Sequence, residues 1–429
     1  MDFKLKNFGK IAEADIKLDG ITVICGNNNT GKSTVSKALF GFFYSLYDLD
    51  NKIYKDKNNA IKNFLFQYAR THTKASGYSF HGGDDFSHFI NNEKFLLSEL
   101  KEYIDQHIVF ADKVKITEEE LKPLYDLLKL PKPDIINEVV FRVFDNVMNG
   151  QIQRVNSGQE YCSISSKIKD KKYEIRFEQK MCSCHQDNTI EHKVYYINNP
   201  FALDLLNNPN RSMMIRSMPP VDRNVIEAII NAQADINADS MAGILDSVSN
   251  KKKLDEVRKV LKKAYEGDTK ISNGLYYYSE NNVDFDFRNI STGLKSFALI
   301  ERMLETGVLK KEDVLILDEP EIHLHSEWQI YYAELIVALQ KYFKLTILIV
   351  THSFHFLESL NFYMRQKPYN ISENGNYYIP VKTDKGIIMK SCTNNLSELK
   401  KGLKSGMYAL ADLQLAELDN CEDDEEDNE

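Results

Sequence analysis

Hydrophobic and polar positions alternate through the start of the chain. Phe3, Leu5 and Phe8, then Ile11, Ile16 and Leu18, and finally the apolar run Ile21-Thr22-Val23-Ile24-Cys25 predict three strands, the last a buried one. After Gly31 the spacing turns helical through Val35, Leu39 and Phe43, so a buried strand passes through a tight loop into a helix. Residues 1–50 form a first lobe on this pattern. Residues 51–150 read as a mostly helical insertion with polar breaks at 76–83 and at Pro131/Pro133. Alternation returns in 151–200, at 161–168, 173–177 and 194–197, as an antiparallel group plus one more sheet strand. Helix dominates 201–270, which reads as an arm. A second lobe, 271–395, holds strands at 274–278 and 284–287, a helix from about Leu294, apolar strands at 314–317 and 346–350, and room for a small hairpin at 377–389. Residues 396–429 carry a last helix and a tail. The fold predicted is α/β, one mixed sheet interrupted by helical excursions.

Composition supports a folded chain. At 429 residues, 43% hydrophobic and 27% charged, it is long enough for two to three domains or one large domain with insertions. Apolar runs all fall short of a membrane span, and the amino terminus lacks a signal core, so a soluble, cytoplasmic protein with no membrane partner is expected. The net charge of −9 is local: residues 417–429 hold nine acids and no base, leaving 54 of each sign elsewhere. Such a block reads as a solvated tail or a tether for a basic partner. A neutral body argues against a chain built mainly to coat nucleic acid while permitting a local groove. The lysine-rich stretch 251–263 is either a solvated helix face or a phosphate-contacting surface. Cys182, Cys184, His185 and His192 form the one metal-like cluster, with spacing unlike a zinc knuckle.

The chemistry concentrates in three places. Gly26-Asn27-Asn28-Asn29-Thr30-Gly31-Lys32-Ser33, followed by Thr34, is a phosphate loop: glycines let backbone amides face a β-phosphate at the positive end of the next helix, Lys32 balances β/γ charge, and Ser33 can ligate Mg²⁺. Val314-Leu315-Ile316-Leu317-Asp318-Glu319-Pro320 ends a buried strand in two acids. Neighbouring strand side chains point oppositely, so the two can serve one site only if the backbone turns there. Asp318 then holds Mg²⁺ through its water shell and Glu319 polarises the attacking water. His352, just past the strand after the acidic pair, is placed to meet the γ-phosphate or that water.

These elements, with Ile290-Ser291-Thr292-Gly293-Leu294-Lys295 one helix upstream of Asp318, resemble the ABC-type P-loop ATPase heads of the SMC and OLD-like group. The tract Asp318-Glu319-Pro320-Glu321-Ile322-His323-Leu324-His325, followed by Trp328-Gln329, is similar to the stand-alone bacterial defence ATPases of that group, such as those of the Septu and PARIS systems. The resemblance implies a two-lobed head that binds and hydrolyses ATP with Mg²⁺. It implies also that Ser291 and Gly293 contact, in trans, the γ-phosphate held by a second copy, Ser291 serving as helix N-cap, as trans contact, or as both. Thr292 and Lys295 depart from the pattern, and His323 and His325 stand where transporters carry a dimer-contacting aspartate. Paired metal ligation by these two histidines is one further expectation. The functions so implied are a homodimer or higher oligomer that switches a separate effector, a nuclease or toxin, in antiphage defence, or a DNA-maintenance ATPase that clamps or senses DNA. An autonomous nuclease is a third class, with no constellation to support it.

Overall fold

The chain folds around an eleven-stranded mixed sheet. Its order from edge to edge is Met181–Gln186, Lys171–Glu178, Tyr161–Ile168, Asp2–Phe8, Ile11–Lys17, Gly386–Ser391, Gly375–Thr383, Ile21–Cys25, Thr346–Thr351, Val314–Asp318 and Val194–Ile197. The structure, a computed structural model, describes residues 1–73, 78–80, 86–92, 94–110, 112, 114–154, 158, 161–236, 244–272 and 274–403. The acidic run 417–429, Cys421 and part of the 76–83 break lie outside them.

The first five strands pair antiparallel, with Phe3 between Ile16 and Ser166. At the other end four strands run parallel, Ile349 lying between Val23 and Leu317. In the parallel part, side chains alternate between two cores. Leu315, Leu317, Ile347 and Ile349 face one, and Val314, Ile316, Leu348 and Val350 face the other. Burial on both faces explains why these strands are continuous apolar runs. The helix Lys32–Leu46 covers the second face through Val35, Leu39 and Phe42. Helices Thr292–Glu305, Ser326–Phe343 and Phe354–Arg365 cover the first.

Residues 51–150 divide between two cores. Leu49–His72, Leu97–His107 and Glu118–Leu128, with a short ladder of Tyr78–Phe80 against Ile108–Phe110, enclose Ile61, Leu65, Leu100, Leu121 and Leu128. The helix Lys132–Val147 instead places Ile136, Val140 and Phe144 in the sheet's own core, and Pro131 and Pro133 mark its start. Helices Pro220–Ile236 and Ile244–Ala264 lie along the first face, where Val225, Ile226, Val257 and Leu261 are buried.

Four strands carry no legible alternation or an unexpected place. Asp268–Ser272, which with Leu275–Glu280 and Val283–Asp286 makes a separate three-stranded sheet, buries only Thr269. Met181–Gln186 turns Cys182 and Cys184 inward, so cysteines carry its period. The hairpin of Gly375–Thr383 and Gly386–Ser391 is no appendage: it fills the sheet between Ile11–Lys17 and Ile21–Cys25, pairing parallel with both. Among the described residues, no helix is long and apolar enough to cross a membrane.

Candidate nucleotide site

Four chain segments meet at the carboxyl ends of the parallel strands, where ligands of open α/β sheets bind. Register sets this up: Asp318 is level with Val350, and Thr351 with Cys25, so the acidic doublet, His352 and the glycine loop emerge side by side.

The loop leaves Ile21–Cys25 at Gly26. A side chain there would strike Pro380 of the late hairpin, 2.7 Å from where its Cβ would lie, and one at Gly31 would strike Ile11 at 2.6 Å. Gly31 also takes φ +79°, which a residue with a Cβ resists, and its carbonyl accepts the amides of Thr34 (3.1 Å) and Val35 (3.3 Å) to start the helix. Asn29 takes φ +65° and receives the Lys10 ammonium on its side-chain oxygen. The Thr30 hydroxyl closes the turn on the Asn27 carbonyl at 2.7 Å. Ahead of Thr34 the amides at the start of Lys32–Leu46 have no carbonyl one turn back within the helix, so the loop and helix present a positive cradle.

Lys32 is 4% exposed, and its ammonium donates to the carbonyls of Gly26 and Asn27, both at 2.8 Å. Burial pulls its pKa down, while the Glu319 and Asp318 carboxylates oppose the shift. Ser33 reaches across 285 residues of sequence: its hydroxyl donates to Asp318 Oδ1 at 3.2 Å. Ser36 donates to Asp318 Oδ2, also at 3.2 Å, and Tyr196, from the edge strand Val194–Ile197, donates to the same oxygen. Burial first, and the Asp318 charge second, push the Tyr196 phenol well up, so it stays a donor. Among the described residues no Lys or Arg forms a salt bridge with Asp318. A carboxylate 8% exposed, held by hydroxyls alone and touching a serine, is a hard-oxygen donor set suited to Mg²⁺.

Glu319 has φ +54°, and its amide donates to Val350 O at 2.8 Å. This left-handed turn breaks the strand alternation, so both adjacent carboxylates act on the Lys32 ammonium. His352 Nδ1 lies 3.6 Å from Glu319 Oε1 and 3.5 Å from Glu321 Oε1. A cleft of about 660 Å³ borders the loop, lined in part by Lys10, Asn29, Thr34, Gln151, Arg154 and Lys382, and is roomy enough for the remainder of a nucleotide.

The other expected residues have local partners. Ser291 caps Thr292–Glu305, accepting the Leu294 amide at 3.4 Å. Gly293 is fitted under Trp328, whose ring stands 2.9 Å from an added Cβ. Lys295, buried, pairs with Asp204 at 2.7 Å. His323 lies in a turn and meets the Phe201 ring, and His325 is the residue that precedes Ser326–Phe343, so the continuous extended segment expected for a two-histidine site is not present. The cysteine-rich cluster does not assemble either. His185 alternates away from Cys182 and Cys184, His192 lies 3.7 Å from Glu312, and among the described residues no group of His, Cys, Asp and Glu is arranged for a metal. In the lysine-rich helix, Lys259, Lys262 and Lys263 pair with Glu256, Asp268 and Glu334. Sequence reasoning missed Ser36, Tyr196 and Glu321. Ser36 lies one helical turn after Ser33, and Glu321 is the third acid of the strand-end tract; Tyr196 gives no signal beyond its strand.

Solved structures of similar shape include the SMC head domain from Thermotoga maritima, at 9% identity and TM-score 0.38, covering 91% of this chain and 97% of that one. A SmcHead bound to the C-winged helix domain of ScpA gives 11% and 0.44, covering 92% and 98%. An Smc head domain with an extended coiled coil, bound to the C-terminal domain of ScpA derived from Pyrococcus furiosus, gives 9% and 0.41, covering 96% and 98%. No curated protein matches the chain. The family described as AAA ATPase domain matches residues 1–357, which include the loop, the acidic doublet and His352. The chain therefore belongs to the AAA ATPase domain family.

Proposed function

We propose that the chain binds ATP with Mg²⁺ at residues 26–34 and hydrolyses it, and that its nucleotide state switches its association with a second copy. The observation that carries this is the 3.2 Å approach of Ser33 to Asp318 across 285 residues of sequence. The loop amides and Lys32 take the β- and γ-phosphates, Ser33 and Asp318 hold the cation, and Glu319 orients the attacking water beside His352. When bound, Mg²⁺ would supply countercharge to the phosphates. Ser291 stands exposed at the start of a 14-residue helix, a place from which it can meet a γ-phosphate in trans. Two shared nucleotides would then bias closed over open pairs, and hydrolysis would reset them.

By the resemblance of the strand-end tract, the switch acts in antiphage defence in the cytoplasm, on a separate effector nuclease or toxin. Sizing the Glu319→Gln protein with ATP tests the core of this: a trapped dimer is expected, whereas a monomer at saturating ATP removes the trans contact. Lys32→Ala should abolish ATP binding by calorimetry, and retained affinity would remove the loop assignment. Pull-down of the tagged chain from its own cell should bring an effector polypeptide. ATP-dependent, salt-sensitive binding to plain duplex DNA with no such polypeptide would replace the effector by a DNA-maintenance role.

A further inference from the structure

Glu321 follows the acidic doublet through Pro320 and is 3% exposed. Its Oε1 accepts three bonds from one short stretch: the Thr351 hydroxyl at 2.5 Å, the His352 amide at 3.1 Å and the Ser353 amide at 3.3 Å. Its Oε2 is buried with no hydrogen-bond partner among the described residues. The same stretch is fixed from the far side, where Ser353 accepts the Phe356 amide at 3.1 Å to cap Phe354–Arg365 and donates to Gln329 Oε1 at 3.2 Å. His352 is thus carried on a turn whose backbone is clamped at both ends, with its Nδ1 edge facing two carboxylates at 3.5 and 3.6 Å.

Closing a strand end does not require a buried acid. A neutral hydroxyl or amide would satisfy the same donors at lower desolvation cost, and burial does push the Glu321 carboxyl upward against the bond from Thr351. What a carboxylate adds is a preference for the imidazole tautomer that carries its proton on Nδ1, because that N–H faces negative charge on both sides. Nε2, on the other side of the ring, is then the acceptor.

We propose that Glu321 is a positioning residue for ATP hydrolysis: it clamps the Thr351–Ser353 backbone and fixes the tautomer and aim of His352 toward Glu319. This rests on the catalytic reading of His352 and Glu319 given above. The test uses the full chain, with steady-state ATP hydrolysis and MgATP affinity measured for Glu321→Ala, His352→Ala and the double variant. Glu321→Ala should lower kcat about tenfold or more with affinity within about threefold, since no contact to the ligand is lost. The double variant should be no more than about twofold slower than His352→Ala, because a residue acting through His352 has nothing left to position. Slowing by the product of the two single effects would show an independent role and overturn the proposal. So would wild-type turnover by Glu321→Ala beside a slow His352→Ala, which leaves the catalytic reading standing. Wild-type turnover by His352→Ala removes that reading and the proposal together. Should Glu321→Ala lose its cooperative melt, the cycle is run with the isosteric Glu321→Gln, expected at least about threefold slower than wild type and again non-additive; wild-type turnover by Glu321→Gln, or additivity, overturns the proposal.

Discussion

Two buried carboxylates, Asp318 at the strand end and Glu301 in the helix Thr292–Glu305, sit in different company. Asp318 takes hydroxyl donors from Ser33, Ser36 and Tyr196, and opens onto the glycine loop. Glu301 is 2% exposed, its Oε2 has no hydrogen-bond partner among the described residues, and its pKa is pushed up to about 7 by burial and then by neighbouring Glu305. Glu305 holds the local cations instead, pairing with Arg302 at 2.6 Å and Arg258 at 3.2 Å. Burial and a displaced pKa do not by themselves mark a functional acid. The donors around it, and what they open onto, separate a ligand site from an awkward core position.

The largest expected effect lies at the first of these. Asp318→Asn keeps volume but removes the charge that a divalent cation would meet and turns one of the two acceptor oxygens into a donor. Turnover should fall by about 10³-fold, roughly 4 kcal/mol in the barrier, with loss of the Mg²⁺ dependence of ATP binding. Calorimetry with and without Mg²⁺ checks this. Equal Mg²⁺ dependence in variant and wild type would erase the distinction between the two acids.

The next effect lies at Glu301 and concerns stability. An acid whose folded pKa is raised from 4.5 to about 7 favours its protonated form in the folded state, so its contribution is best below about pH 4.5. That contribution declines as pH climbs to about 7 and stays lost above. Glu301→Gln abolishes the titration. Its stability advantage over wild type should therefore grow between about pH 4.5 and 7, reaching about 3 kcal/mol at most, with turnover unchanged within about twofold. The neighbouring charges are Glu305, which pushes the pKa up, and Lys262, which pulls it down. Urea melts at pH 5 and pH 8 decide it. A constant difference at both pH values would mean that Glu301 is not the titrating group.

How much of this was legible follows from the kind of signal each residue leaves. Apolar runs at 21–25, 314–317 and 346–350 reveal strands buried on both faces, and motif spacing reveals the loop and the doublet, because phosphate and cation chemistry demand those residues in that order. Asp268–Ser272 hides because it is short, its exposed positions are polar, and its inward face holds one Thr and a half-buried Ile271. The place of Gly375–Thr383 is invisible because strand order depends on partners hundreds of residues away: Tyr377 pairs with Val23. Glu319 is the intermediate case. Alternation says that two adjacent acids diverge, and only the left-handed turn at φ +54° reconciles them. Ser36 and Tyr196 touch Asp318 through tertiary geometry: Ser36 has only its one-turn spacing from Ser33 to suggest it, and nothing in the strand of Tyr196 announces it.

The smallest effect tests that last contact. Tyr196 is 2% exposed, and its hydroxyl bonds Asp318 Oδ2 while lying 3.2 Å from Ser36 Oγ. Tyr196→Phe preserves the ring, including its edge-on packing against Phe40 at 5.7 Å, and deletes only the donor. Ser36 remains on Oδ2, so the carboxylate oxygen is weakened and not orphaned. The cost should be about 1–2 kcal/mol of stability in the nucleotide-free chain, the usual range for a bond to a charged acceptor. MgATP should recover part of it, since a cation bound at Asp318 supplies the charge compensation that the phenol otherwise shares. Melting the variant with and without MgATP therefore gives a larger ligand-induced rise than in wild type. An equal rise in both would place Tyr196 with the packing of the core and outside the hydroxyl set that distinguishes Asp318 from Glu301.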